Sequence, residues 1–152
     1  MTMRWLFTSF VIALLALGVS AKTADEPLEV LKARAESARP QDQGPLFAAI
    51  ASREVNEADR FYTEGDIPKA TQAVDEVVRY AGRAAEAAQT SGKHLKHTEI
   101  SLRETARRLD DVRKTLSFED RAYVEAAVKQ VEKRRQELLE RMFGPQSKEG
   151  KK

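Results

Sequence analysis

From Ile67 to Ala88 the apolar residues Ile67, Ala70, Val74, Val77, Val78, Ala81, Ala84, Ala85 and Ala88 return every three or four positions without a break. A chain with that period buries it in one way, as a single face of an α-helix laid against other helices. Asp66 stands where a helix N-cap is needed, Pro68 falls in the first turn, and Thr90-Ser91-Gly92 reads as the stop. The alanine-rich end, Ala81 to Ala88, lacks bulk, so either a neighbouring helix approaches closely there or that end adds little core.

The same period recurs on both sides. Upstream, Phe47, Ile50, Ala51, Glu54 or Val55, Ala58, Phe61 and Tyr62 form a stripe from Pro45 to Glu64, closed by Gly65. A shorter helix is expected from Asp25 to Arg39 on Leu28, Leu31 and Ala35, with Asp25 as its cap. Pro40-Gln41-Asp42-Gln43-Gly44-Pro45 then reads as a linker, which leaves that first helix loosely attached. Downstream, Leu95, Leu102, Leu109 and Leu116 recur every seven residues, and Thr98, Ala106 and Val112 fill between them. The last helix, Phe118 to Phe143, presents Val124, Ala127, Val128, Val131, Leu138, Met142 and Phe143 and ends at Gly144-Pro145. Ser117 is placed to accept a hydrogen bond from the Asp120 amide, with Glu119 and Asp120 at the positive helix end. Helices of similar length joined by almost nothing favour antiparallel hairpins. The fold class expected is therefore all-α, an antiparallel bundle of four or five helices.

The first 21 residues have a different character. Arg4 gives a positive start, Trp5 to Val19 are apolar apart from Thr8, Ser9 and Gly18, and Val19-Ser20-Ala21 offers small residues for cleavage. These are the parts of an export signal; retention as a membrane anchor is the alternative. The expected organisation is a signal peptide over 1–21, a short helix and linker over 22–44, the bundle over 45–143, and a disordered basic tail over 144–152. The mature protein is then extracytoplasmic, periplasmic or secreted. The chain has no cysteine, so neither a disulfide nor a lipid on cysteine contributes, and packing must supply the stability.

Charge is unevenly distributed. Lys22 to Gly92 carries 9 basic and 13 acidic residues, whereas Lys93 to Lys152 carries 16 and 11. The densest cluster is Arg103, Arg107, Arg108, Arg113 and Lys114, with Lys129, Lys133, Arg134 and Arg135 across the last hairpin. Nucleic acid is excluded as a partner by export. Interleaved Glu104, Asp110, Asp111, Glu125, Glu132 and Glu137 make a solvated, salt-bridged face the expected arrangement. His94 and His97 share a helical face, but two ligands beside Lys93 and Lys96 make a poor metal site. Metal ligands, cofactor loop and catalytic elbow are all missing from the pattern, so neither a cofactor nor an enzyme is expected.

Residues 46–80 resemble one tetratricopeptide repeat. The match is carried by Ala58, Phe61 or Tyr62, the Gly65-Asp66 turn, Ala70, Val74 and Val77. The resemblance implies a helical hairpin that contacts protein. A single unit does not build the concave groove of stacked repeats. Leu116-Ser117-Phe118-Glu119-Asp120-Arg121 is similar, more distantly, to the repeated motif of Spy-like periplasmic chaperones, which has Thr and Gln where this chain has Ser117 and Asp120. That likeness implies client binding. The function expected is non-enzymatic protein interaction or scaffolding in the cell envelope, through a protein partner or self-association. A client-binding chaperone is the alternative, and contact between the basic half and an anionic surface is the third. Candidate contact residues are Tyr62, Arg79, Tyr80, Arg107 and Arg108, with Arg79 and Tyr80 expected on an exposed surface.

Overall fold

The computed structural model describes residues 26–144. Five helices follow one another: α1 (Leu28–Ser37), α2 (Pro40–Glu64), α3 (Ile67–Ser91), α4 (Leu95–Thr115) and α5 (Phe118–Phe143). The fold is all-α, as the periodicities require. The export signal, the Asp25 cap and the tail from Pro145 lie outside the described residues. Among the described residues, no helix is long and apolar enough to cross a membrane.

α2 and α3 form the most extensive pair, an antiparallel hairpin, and α4 and α5 form a second. The hairpins pack with α2 against α4 and α3 against α5, while the backbone of α1 approaches only α2. The turn between α2 and α3 is built by Gly65, whose φ of 77° is open to glycine without strain. The Gly65 amide donates to Tyr62 O at 3.1 Å and the Asp66 amide to Phe61 O at 2.9 Å, which closes α2 in a Schellman motif. Asp66 then caps α3, its carboxylate accepting from the Lys69 amide at 3.3 Å. At the other tight turn Ser117 behaves differently from expectation. Its hydroxyl donates to Asp120 Oδ2 at 2.9 Å and makes no bond to a helix amide.

The core follows the stripes. Val74, Val77, Ala81, Ala84, Ala85 and Ala88 of α3 are buried, so the alanine-rich end is a place of close approach. Leu102 and Leu109 are fully buried and Leu116 nearly so, with Leu95 partly buried beside them. α5 contributes Val124, Ala127, Val131 and Leu138, but Phe143 is 71% exposed, contrary to its assignment to the apolar side.

The segment Pro40–Pro45 is a correction. It is the start of α2, with Pro40 in the first turn, where a missing N–H costs nothing. Pro45 lies inside the helix, removing the donor that would reach the Gln41 carbonyl. Tertiary packing overrides that loss. Gly44 is buried, and a Cβ added there would stand 3.3 Å from Ala88 Cβ, 3.3 Å from Thr98 Oγ1 and 3.4 Å from Ala84 O. The glycine thus lets α2 close on α3 and α4 at the point where their side chains are smallest. α1 is likewise attached rather than loose: Leu31 and Ala35 are fully buried, and two residues, Ala38 and Arg39, carry the chain into α2.

Candidate functional site

Because α1 rests on α2 without its backbone reaching α3, a groove runs between α1 and α3 with α2 as its floor. Its volume is about 690 Å³. The apolar part of its wall comes from Leu28, Phe61 and Tyr80.

Charge organises the rest. Lys32 Nζ lies 2.8 Å from Glu54 Oε1, 3.3 Å from Glu29 Oε1 and 3.8 Å from Glu76 Oε2, so one ammonium is shared by carboxylates of three helices. The Lys32 ammonium also lies 5.7 Å from the centre of the Tyr80 ring. Glu54 is only 4% exposed, and burial raises its pKa above the ordinary value against the pull of Lys32. Burial acts on Lys32 in the opposite sense, yet Glu54 and Glu29 outweigh it and hold the ammonium above its usual pKa.

A second tie closes the far end. Arg83 donates through both terminal nitrogens to the two Glu36 oxygens, one at 2.8 Å, and its guanidinium stacks over the Phe47 ring at 4.0 Å. This hydrogen bond holds Glu36 below the usual carboxylate pKa. Arg79 stands on the rim, 2.6 Å from Glu76 and 4.8 Å above the Tyr80 ring.

The groove thus brings together Arg79 and Tyr80 of the candidate contact residues, but in unequal roles. Tyr80 is buried, 6.0 Å from Phe47 between ring centres, because its position continues the core face of α3; the tyrosine expected to be exposed is part of the groove wall. Arg79 is exposed, as its place on the rim requires. The other three lie elsewhere. Tyr62 is half-buried near the end of α2, its pKa raised by burial and then by Asp120 of α5. Arg107 is exposed on α4 and bonded to Glu104 of its own helix at 2.7 Å. Arg108 donates to Ser52 Oγ at 3.0 Å and to Asn56 Oδ1, which ties α4 to α2.

Lys32, Glu36, Glu54, Glu76 and Arg83 were outside the sequence-based set. A signal existed for one of them, since Glu54 falls in the apolar stripe of α2. Its carboxylate is buried rather than on a polar helix face.

The basic cluster of the second hairpin is largely paired along its own helices: Arg113 with Asp110, Lys114 with Asp110 and Asp111, Lys129 with Glu125, and Arg134 with Glu137. Such exposed pairs contribute about 0–1 kcal/mol each. Arg135 reaches further, to the buried Glu99 of α4 at 3.0 Å. His94 and His97 are exposed, and His94 adopts a φ of 57° at the start of α4. Among the described residues, no three His, Cys, Asp or Glu side chains are grouped to hold a metal ion.

Comparison with known proteins finds no matching family model, no matching curated protein and no matching solved structure, so the tetratricopeptide-like and Spy-like likenesses rest on the residues that carry them.

Proposed function

We propose that this chain is an exported, non-enzymatic protein-interaction or scaffold protein whose contact surface is the groove between α1 and α3. The observation that carries this reading is the groove itself: an open cleft of about 690 Å³ that sets Phe61 and Tyr80 among fixed charges. Aromatic side chains framed by arginine are the combination that anchors protein contacts. The titratable groups are engaged with one another, Lys32 with Glu54 and Glu36 with Arg83, which suits recognition better than proton transfer. Export rests on the character of residues 1–21.

A client-binding chaperone is the second reading, favoured by Phe118 and Phe143. These two aromatics, at the ends of α5, are 88% and 71% exposed. Contact with an anionic surface comes third, since Arg107, Arg113, Lys114, Lys129, Arg134 and Arg135 of the basic half are already paired with carboxylates of their own helices.

The test is a photo-cross-linking residue at Gln72, an exposed groove position, compared with one at Lys133 on α5, in the native envelope. The reading expects one partner captured at Gln72 alone, forming a 1:1 complex when purified and lost on Arg79→Glu. Self-links only would replace the adaptor with an oligomer. Capture of many unrelated proteins would favour the chaperone.

A further inference from the structure

We propose that the outward face of the first half of α4, from Lys93 to Arg103, docks on the surface of an anionic lipid bilayer. This surface is separate from the groove between α1 and α3, and either can be lost without the other.

Between Lys93 and Arg103 the one acidic residue is Glu99. It is 6% exposed and bonded to Arg135 of α5 at 3.0 Å, so its charge is turned away from solvent. Lys93, Lys96 and Arg103 are exposed, and among the described residues no carboxylate pairs with them. At the edge of this stripe His94 stands 3.9 Å from Asp42 of α2, whose carboxylate is already taken by Arg39 at 2.8 Å. The next bases along the hairpin differ: Arg107, Arg113 and Lys114 each have an acid three or four residues away on the same helix.

Folding does not account for the stripe. α4 begins at Leu95 with no acid in its first turn, and Lys93 and Lys96 add positive charge at the helix end that is already positive. That placement disfavours the helix, and no ion pair among the described residues offsets it. An anionic surface outside the chain does.

Shape selects the partner. Lys96, Ile100 and Arg103 fall at i, i+4 and i+7 and share one face, with Ile100 42% exposed between the cations. Neither they nor Lys93 line the groove or the cavities beside Phe47, Arg108, Gly82 and Tyr123. The face is the convex side of a helix, whereas a small ligand is held in a hollow. A bilayer needs no hollow. Long lysine and arginine side chains reach its headgroup phosphates, and an aliphatic side chain between them rests at the acyl boundary. Charge also accumulates at this end of the bundle. α5 runs antiparallel to α4, so the chain beyond Gly144 continues from the end where α4 begins, and its sequence carries Lys148, Lys151 and Lys152 against Glu149.

Because the chain has no cysteine, Ile100→Cys in the full chain gives one site for an environment-sensitive dye, and Gln72→Cys gives a control in the groove. Both are mixed with vesicles of equal parts phosphatidylglycerol and phosphatidylcholine, and with vesicles of phosphatidylcholine alone. The dye at position 100 should enter an apolar environment on the anionic vesicles only, and return to water in about 1 M salt. The dye at position 72 should not respond. Each lysine or arginine at such a surface is worth about fivefold, so Lys93→Gln, Lys96→Gln and Arg103→Gln together should shift the contact equilibrium at position 100 by on the order of one hundredfold. All three side chains are exposed, so the fold tolerates their replacement, and the substitutions separate this face from any hold that residues 1–21 have on lipid. The proposal is overturned if position 100 stays in water on anionic vesicles, or if its response is unchanged by the triple substitution. An equal response to soluble polyglutamate would also overturn it, in favour of an acidic protein.

Discussion

The two hairpins solve the same packing problem with different side chains, and the difference locates the site. α2 and α3 bury a run of small residues, Gly44, Ala48, Ala51, Ala81, Ala84 and Ala88, beside Phe47, Ile50, Val74, Val77 and Tyr80, and Gly44 lies directly against Ala84 and Ala88. α4 and α5 bury fewer residues, Leu102, Leu109, Val124, Val131 and Leu138 chief among them. Around that second hairpin the charges pair mainly at i, i+3 and i, i+4 on their own helices, an arrangement any solvated helix can make. Around the first hairpin, Lys32, Glu54, Glu76, Glu36 and Arg83 pair between helices. Charge fixed by tertiary geometry can discriminate a ligand; charge satisfied locally cannot.

The comparison breaks most visibly at the large residues. Leu109→Ala should cost about 2–5 kcal/mol in denaturant unfolding, because the second hairpin has few side chains able to fill the void. A loss under 1 kcal/mol would mean the hairpin is looser than described. Gly44→Ala sets two effects against each other. Helix propensity favours alanine by about 1 kcal/mol, but the new methyl meets Ala88 and Thr98 at 3.3 Å, and overpacking costs about 1–3 kcal/mol. A net destabilisation of about 1 kcal/mol is expected, and a stabilised variant would show that the helices have room to separate.

pH sharpens the contrast at α1. Glu54 faces Lys32 and Glu29 of α1, Glu76 of α3 and Glu57 of its own helix. Burial raises its folded pKa, so the folded chain takes up a proton there more readily than the unfolded chain. Its contribution to folding stability therefore grows as pH falls through that raised value towards the ordinary 4.5. Glu36 acts in the other window: the Arg83 hydrogen bond lowers its pKa, and its contribution, complete above 4.5, is lost as pH falls through the lowered value. The contribution of these two groups to the unfolding free energy, followed by denaturant titration across pH, should peak near pH 4.5, and Glu54→Gln should remove the upper limb alone. A contribution that rises steadily with pH would contradict the assignment. The smallest effect is expected at Arg107→Ala, within about 0.5 kcal/mol, since its partner Glu104 is exposed on the same helix.

Helices with a long apolar period were legible apart from Phe143 and Tyr80, and so were the positions of the Gly65-Asp66 and Leu116-Ser117 turns, though not the bond Ser117 makes, because their causes lie within a few residues. Pro40–Pro45 was misread for the same reason. Two prolines and a glycine signal a linker locally, and only the distant Ala88 and Thr98 explain why they are helical. Tyr80 was mistaken for a surface residue although its spacing from Val77 and Ala84 places it on the core face. The Lys32–Glu54 pair was half visible: Glu54 stood in an apolar stripe, but its partner on α1 is set by how α1 docks, which no periodicity states.

Capture from Gln72 tests the central claim most directly. A single partner held in a 1:1 complex, absent from Lys133 and released by Arg79→Glu, is the outcome the groove predicts. Equal capture at both positions, unchanged by that substitution, would contradict it.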